Sequence, residues 1–392
     1  MLVAKNDEGK LISLVWVSEK AIGKWKNRQF FCPICEQRVQ LKKGQIRLPY
    51  FAHLSSQSCN ITSGGESPEH LELKKIFAEQ CRQQKIEHQL EAYLPEIKQR
   101  ADLLIGRYAI EFQCSMLSAE EMVKRTRSYI ENGYQPIWIC GRKIWNYGKS
   151  NGTIRKFCSY SQKLGFYLWT ADLKRKKLYL RYHVELKATG RLCYGTKYWN
   201  FNDIRFADLF EMAAEKRLFH YREYLLEGEL SAVYQELYKK LRGKKRELLP
   251  IQSFYYQKGL NLLSLHPWFY YSINQSFVLG KSIFLFKYYF WEWLAVKGTV
   301  SKTEILHFCS TYIFKEQLHQ LVPAVAPAAL INWLSHYLIE GLLICQVLKR
   351  RVKAGEFEVI IDYKNRVRPH PTLILDEKQL PQVIITGTPL KI

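Results

Sequence analysis

The chain has 392 residues, too many for one compact core, and at about 100–200 residues per domain it divides into two or three domains. Hydrophobic residues make up 47% of it and aromatics 14%, which excludes a largely disordered chain. Lys plus Arg number 59 against 36 Asp plus Glu, a formal charge of +23, and a field of that sign attracts polyanions, nucleic acid first among them. The plainer reading is that the charge only keeps an aromatic-rich surface soluble.

Residues 1–10 have no signal-peptide core, and most of the ten cysteines, such as Cys114, Cys140, Cys158, Cys309 and Cys345, stand alone in apolar settings. Both features fit a reducing cytoplasm better than disulfide bonding. The most apolar stretches, 277–296 and 321–345, are interrupted by Lys281, Lys287 and Glu292 and by Asn332, His336 and Glu340, so neither predicts a membrane span.

In chain order, residues 1–4 and 11–17 read as strands joined by a turn at Asp7-Glu8-Gly9. Cys32-Pro33-Ile34-Cys35 then brings two thiols to one tight turn, and His53 and Cys59 follow in the spacing C-x2-C-x17-H-x5-C. Four soft or borderline donors are what a closed, structural zinc site needs. His70 is the substitute for Cys59, and the plainer reading is two small buried cysteines and a core histidine. Residues 1–62 are thus expected to form a small β domain with a zinc knuckle, ending at the linker Thr62-Ser63-Gly64-Gly65.

A helix is predicted over 66–84 from the apolar positions Leu71, Leu73, Ile76 and Phe77. Two apolar runs next flank Gly106-Arg107, a pair suited to a two-residue II′ hairpin turn. If Ile105 pairs with Tyr108, Asp102 lies opposite Glu111, and Arg100 opposite Gln113 on the same face. Cross-strand neighbours sit roughly 4.5–5.5 Å apart at Cβ, and two bare carboxylates that close repel. A cation between them resolves the conflict, so Asp102 and Glu111 are candidate ligands of Mg²⁺ or Mn²⁺. The alternative is a solvated strand face on which the acids pair with Arg100 or Lys98.

Ser118-Ala119-Glu120-Glu121 is a capping box opening a helix that Asn132-Gly133 ends, and within it Arg125 and Tyr129 share one face. Residues 136–140 read as a buried strand. Residues 63–150 therefore predict helix, strand, strand, strand, helix, strand, an α/β layer with the carboxylates at its centre. Glu69 or Glu66 could supply a third carboxylate, and His70 and Lys74, one turn apart, could reach a phosphate; each is otherwise a solvated helix charge. From 151 to 392, basic clusters at 174–177, 239–240, 244–246 and 349–351 lie between aromatic stretches, which predicts a basic, mostly helical region.

The element order and the spacing Asp102…Glu111-Phe112-Gln113 resemble the PD-(D/E)xK nuclease fold of restriction-endonuclease-like enzymes. The ordered set Cys32-Pro33-Ile34-Cys35, Phe51-Ala52-His53, Glu69-His70-Leu71-Glu72-Leu73-Lys74, Arg100-Ala101-Asp102, Ile110-Glu111-Phe112-Gln113-Cys114-Ser115, Arg125…Tyr129 and Ile137-Trp138-Ile139 resembles, more closely, the competence protein CoiA family. The resemblance covers about the first 145 residues. It implies a cytoplasmic DNA-processing protein of naturally transformable bacteria that acts on single-stranded DNA or recombination intermediates alongside the RecA recombinase. It also implies metal-dependent cleavage of phosphodiester bonds, in which Asp102 and Glu111 hold the ion and the third motif position aids the attacking water.

That third position is Gln113, where the motif has lysine, and a neutral amide cannot stabilise developing charge as an ammonium does. Expected catalytic residues are thus Asp102, Glu111, Gln113 and Glu69, with His70, Lys74, Arg100, Arg125 and Tyr129 on the DNA. The alternative function is a non-catalytic recombination mediator that binds DNA junctions and assists RecA. An RNA-processing enzyme would carry the same charge signature.

Overall fold

The computed structural model describes residues 1–25, 28–44, 48–54, 66–151, 153–186, 192–211, 234–235, 237–243, 248–270, 276–345, 347–350 and 355–359. They fall into two compact units, the first within Met1–Tyr182, Gly195–Arg217 and Val322–Ala324, the second within His183–Tyr194, Leu218–Leu321 and Val325–Ile392.

The first unit begins with strands β1 (Val3–Asn6), β2 (Leu11–Ser13), β3 (Phe30–Phe31), β4 (Arg38–Lys42) and β5 (Tyr50–His53), with the short helix α1 (Glu19–Gly23) between β2 and β3. They form an antiparallel sheet in the order β2-β1-β3-β4-β5, with Gly9 taking φ 77° in the turn between β1 and β2. Phe30 and Phe51, with ring centroids 4.8 Å apart, anchor its core.

Next come α2 (Pro68–Gln83), β6 (Gln89–Leu94), β7 (Gln99–Ile105), β8 (Tyr108–Gln113), α3 (Ala119–Glu131), β9 (Gln135–Cys140) and α4 (Arg142–Asn151). The chain continues through β10 (Ser159–Ser161), β11 (Gly165–Asp172), β12 (Lys177–Leu186), β13 (Leu192–Asn200) and α5 (Phe206–Glu211). The second sheet runs β13-β12-β11-β9-β8-β7-β6, with β10 beside β11. It is mixed: β6, β7 and β8 are antiparallel, β8, β9 and β11 parallel, and β11 and β12 antiparallel. Helix α2 packs on it through Phe77 against Phe112, ring centroids 4.9 Å apart, and α3 through Thr126, whose hydroxyl accepts the Trp138 indole N–H at 3.2 Å. Ser118 caps α3 by accepting the Glu121 N–H, and Gly133 follows the helix at φ 83°.

Residues 159–200, expected to be part of a mostly helical region, form four strands instead. The apolar positions Phe166, Leu168, Leu178 and Leu180 alternate and are all buried, but the basic run at 174–177 between them draws attention away from a hairpin. The second unit holds helices Leu249–Gln257, Ile283–Ala295, Lys302–Lys315 and Pro327–Ile344 with a three-stranded sheet. Its core is aromatic, built on Trp268, Phe286, Phe290 and Trp291, and it buries Lys287, whose ammonium donates to the carbonyls of Trp268 at 2.9 Å and Phe269 at 3.3 Å. The linker at 62–65, the basic cluster at 244–246 and Arg351 lie outside the described residues. Among those residues no helix is long and apolar enough to cross a membrane.

Candidate functional site

Ser67 opens α2 by accepting the His70 N–H at 3.2 Å, and Pro68 fits the first turn, where its missing N–H costs nothing. Four-residue spacing then sets His70 and Lys74 above one another on α2, and Glu66, just ahead of the Ser67 cap, joins them through Lys74 at 2.7 Å. On the sheet, Ile105 pairs with Tyr108, Leu104 with Ala109 and Leu103 with Ile110, and Gly106 supplies the positive φ of 53° that the turn requires. That register puts Asp102 opposite Glu111. The backbone ladder stops one pair short, and the Phe112 N–H donates to Asp102 Oδ2 at 2.9 Å instead.

Asp102 Oδ2 also lies 2.8 Å from His70 Nε2, and its Oδ1 is 3.5 Å from Lys74 Nζ. The Lys74 ammonium is wholly buried and touches two further carboxylates, Glu66 at 2.7 Å and Glu91 at 2.6 Å. Arg100 donates to Glu66 Oε1 at 2.9 Å. Burial by itself would raise the Asp102 pKa, but His70 and Lys74 outweigh it and hold this carboxyl well below the usual range. Glu66 is likewise depressed against its own burial, by Lys74 and Arg100 among others. Burial pulls the Lys74 pKa down, and the three acids more than reverse that, so it ends above its ordinary value.

Glu91 is a residue that the sequence did not single out. It sits mid-strand in β6 at φ 54°, a left-handed conformation unusual for glutamate, opposite Asp102 in a register that is unchanged on either side. Its two oxygens accept the backbone N–H groups of Leu2 at 2.8 Å and Val3 at 3.1 Å. In the sequence, Leu90-Glu91-Ala92-Tyr93 reads as apolar–polar alternation with a solvated acid, and no local signal marks it.

Glu111 has its own partners: Arg125 at 2.6 Å and the Tyr129 hydroxyl, which donates to the same oxygen. Its pKa is raised, first by burial and further by the Asp102 charge, with Arg125 opposing. The guanidinium of Arg125 also lies over the Trp138 ring, 5.3 Å from its centroid. Of the residues expected on DNA, Lys74 and Tyr129 have no accessible surface, and the side chains of Arg100 and Arg125 are 10% and 27% exposed, each engaged with a carboxylate.

Two further expected residues are brought to the same region but turned elsewhere. Glu69 Oε1 accepts the Arg142 N–H at 3.0 Å and so caps α4. The close approach depends on Gly141, where an added Cβ would lie 3.0 Å from the Glu69 carboxylate. Gln113 donates its amide to the Ser115 carbonyl at 2.6 Å.

Ligand atoms of Glu66, His70 and Asp102 all lie within 4.8 Å of one another. Glu66 Oε2 is buried and ion-paired with the Met1 amino group at 3.2 Å, without an aligned hydrogen bond. Two carboxylates and an imidazole converging in this way fit a divalent cation. In a second group, ligand atoms of Cys32, Cys35 and His53 also lie within 4.8 Å of one another, with Cys35 Sγ 3.4 Å from His53 Nε2. Cys59 lies outside the described residues, and His70 is committed to Asp102.

A mixed sheet with α2 and α3 packed on it and acidic side chains meeting at the β7–β8 hairpin fits a nuclease-like domain. Residues 66–214 match the family model described as competence protein CoiA, nuclease-like domain, and residues 15–62 match competence protein CoiA, N-terminal domain. Together the two models cover just over half of the sequence, and the chain belongs to the competence protein CoiA family. Over 122 residues it is 35% identical to a protein named competence protein CoiA from Bacillus subtilis (strain 168), a stretch that is 30% of this chain and 33% of that relative. No solved structure matches.

Proposed function

We propose that the chain is a DNA-processing protein of natural transformation, acting in the cytoplasm on single-stranded DNA or recombination intermediates, and that it cleaves phosphodiester bonds with a divalent ion. The observation that carries this reading is the convergence of Glu66, His70 and Asp102 inside a nuclease-like domain. Asp102 holds the ion, with Glu66 and His70 beside it and Glu111 across the register. The imidazole among the donors favours Mn²⁺ over Mg²⁺, which prefers an all-oxygen shell. Such an ion lowers the pKa of a bound water and offsets charge on the phosphate. Lys74, wholly buried and 3.5 Å from Asp102, holds that carboxylate in place and does not replace the ammonium that the Gln113 position lacks. Cys32, Cys35 and His53, with Cys59 as the fourth ligand, hold a structural Zn²⁺.

The second reading, a non-catalytic mediator that binds DNA junctions and assists RecA, draws support from a specific feature. Lys74, Arg100 and Arg125 already neutralise Glu66, Glu91 and Glu111 within the chain, so the cluster stands without an ion. The deciding experiment incubates end-labelled single-stranded, duplex and branched DNA with the protein and its Asp102→Ala variant, under Mn²⁺, Mg²⁺ or chelator. Metal-dependent products that vanish in the variant, with DNA affinity retained, establish the nuclease. Tight binding without cleavage on any substrate refutes it in favour of the mediator.

A further inference from the structure

The cations expected on DNA are spent on buried carboxylates, so a strand approaching the site needs another surface. The β11–β12 turn provides one. Asp172 accepts the Arg175 N–H at 3.2 Å and closes a tight turn in which Lys176 takes φ 53°, and the side chains of Lys174, Arg175 and Lys176 are all exposed.

Lys177 leads from this turn into β12, with its ammonium 3.7 Å from the centroid of the Tyr198 ring on the edge strand β13. Tyr198 remains 54% exposed, although it also packs beside Tyr179, centroids 6.0 Å apart. Arg181 continues the row, lying over Tyr179 at 4.5 Å and donating to the Thr196 hydroxyl at 2.8 Å. Cations on one strand beside an exposed aromatic ring on the next are what an unpaired polynucleotide recognises: phosphates take the ammonium and guanidinium groups, and a base stacks on the open part of the ring. Duplex DNA has no free base face to offer.

Topology places this edge on the route to the site. β8, β9 and β11 are parallel, so Gln113, Gly141 and Asp172 all lie at the carboxyl ends of their strands, where open α/β sheets bind ligands. Two strand spacings, about 10 Å, separate β8 from β11. Arg142 spans part of the gap: its backbone N–H is held by Glu69 and its Nε lies 3.8 Å from Asp172 Oδ2.

We propose that Lys174, Arg175, Lys176, Lys177 and Tyr198 form a binding track for single-stranded DNA that leads toward the Asp102 site. The proposal rests on the nucleic-acid reading above and names the surface that reading lacks. The test measures anisotropy of a labelled oligothymidylate with the full chain across a salt series, for wild type, the triple variant Lys174→Ala/Arg175→Ala/Lys176→Ala, Tyr198→Ala and Tyr198→Phe. Thermal melts confirm that each variant folds. Removing three phosphate contacts should flatten the salt slope by about 2, at about 0.7 per contact on single strands, and cut affinity at least tenfold. Tyr198→Ala should weaken binding about tenfold at an unchanged slope, and Tyr198→Phe should restore it. Wild-type binding that survives all the variants overturns the track and leaves the DNA reading standing. No wild-type binding at any salt overturns both. Equal dependence on Tyr198 for a blunt duplex overturns the single-strand assignment.

Discussion

Replacing Lys74 by methionine keeps most of the length of the side chain and removes one charge from the centre of the candidate site. The ammonium is wholly buried and lies 2.7, 2.6 and 3.5 Å from Glu66, Glu91 and Asp102, so its loss leaves buried acids short of a counter-charge. Breaking a buried pair from one side costs about 3–5 kcal/mol. For a unit of this size each kcal/mol moves Tm by about 2–4 °C, so Lys74→Met should lower the melting of the first unit by roughly 6–20 °C at pH 7.5. The pH dependence separates charge from packing. In the wild type these carboxyls are held below their unfolded values near 4, so their contribution is full above that pH and is lost only as pH falls through the lower, folded values. In the variant burial dominates and the acids take up protons at higher pH, so the deficit should narrow between pH 7.5 and 5.5 while the wild type stays level. Calorimetry at the two pH values is the assay. A shift under about 2 °C at pH 7.5, or a deficit that widens on acidification, would refute the charge-network account.

Gly141→Ala should destabilise the first unit by about 1–3 kcal/mol, since the new Cβ would sit 2.9 Å from Cys114 Sγ and push Glu69 off the start of α4; a melting curve superimposed on wild type would contradict this. In the second unit burial pushes the Lys287 pKa down to about 7, so between pH 7 and 10 the unfolded chain binds a proton that the folded one does not. Stability there should rise with pH by about 1.4 kcal/mol per unit, a slope that Lys287→Met abolishes; denaturant titrations at pH 7 and 9 measure it. Atomic emission analysis of the purified protein should find about one zinc per chain and none in Cys32→Ser/Cys35→Ser, and a variant that keeps its zinc removes the metal assignment.

The hairpin register was legible because a two-residue turn at Gly106 leaves one pairing, and that pairing fixes Asp102 against Glu111. Helix α3 was legible from its cap, and the burial of Leu71, Leu73 and Phe77 from their spacing. What eluded reading was long-range electrostatics. Lys74 and Arg100 look like solvent-facing cations until the fold brings Glu66 and Glu91 to them, and Glu91 adopts a backbone conformation that no local pattern announces. Strands β11 and β12 were missed for the reverse reason, since a basic turn between two short apolar alternations gives weaker periodicity than the helices around it.

The two family models follow one another along the sequence with three residues between them, as separable modules would. Glu91 contradicts that impression, because the amides at the start of β1 are satisfied by a side chain from β6, nearly ninety residues downstream. A chain started at Glu66 would expose that glutamate's unmet lone pairs beside Lys74. A graft that replaces the N-terminal sheet must therefore present two backbone N–H groups to Glu91, or it leaves a buried carboxylate short of donors.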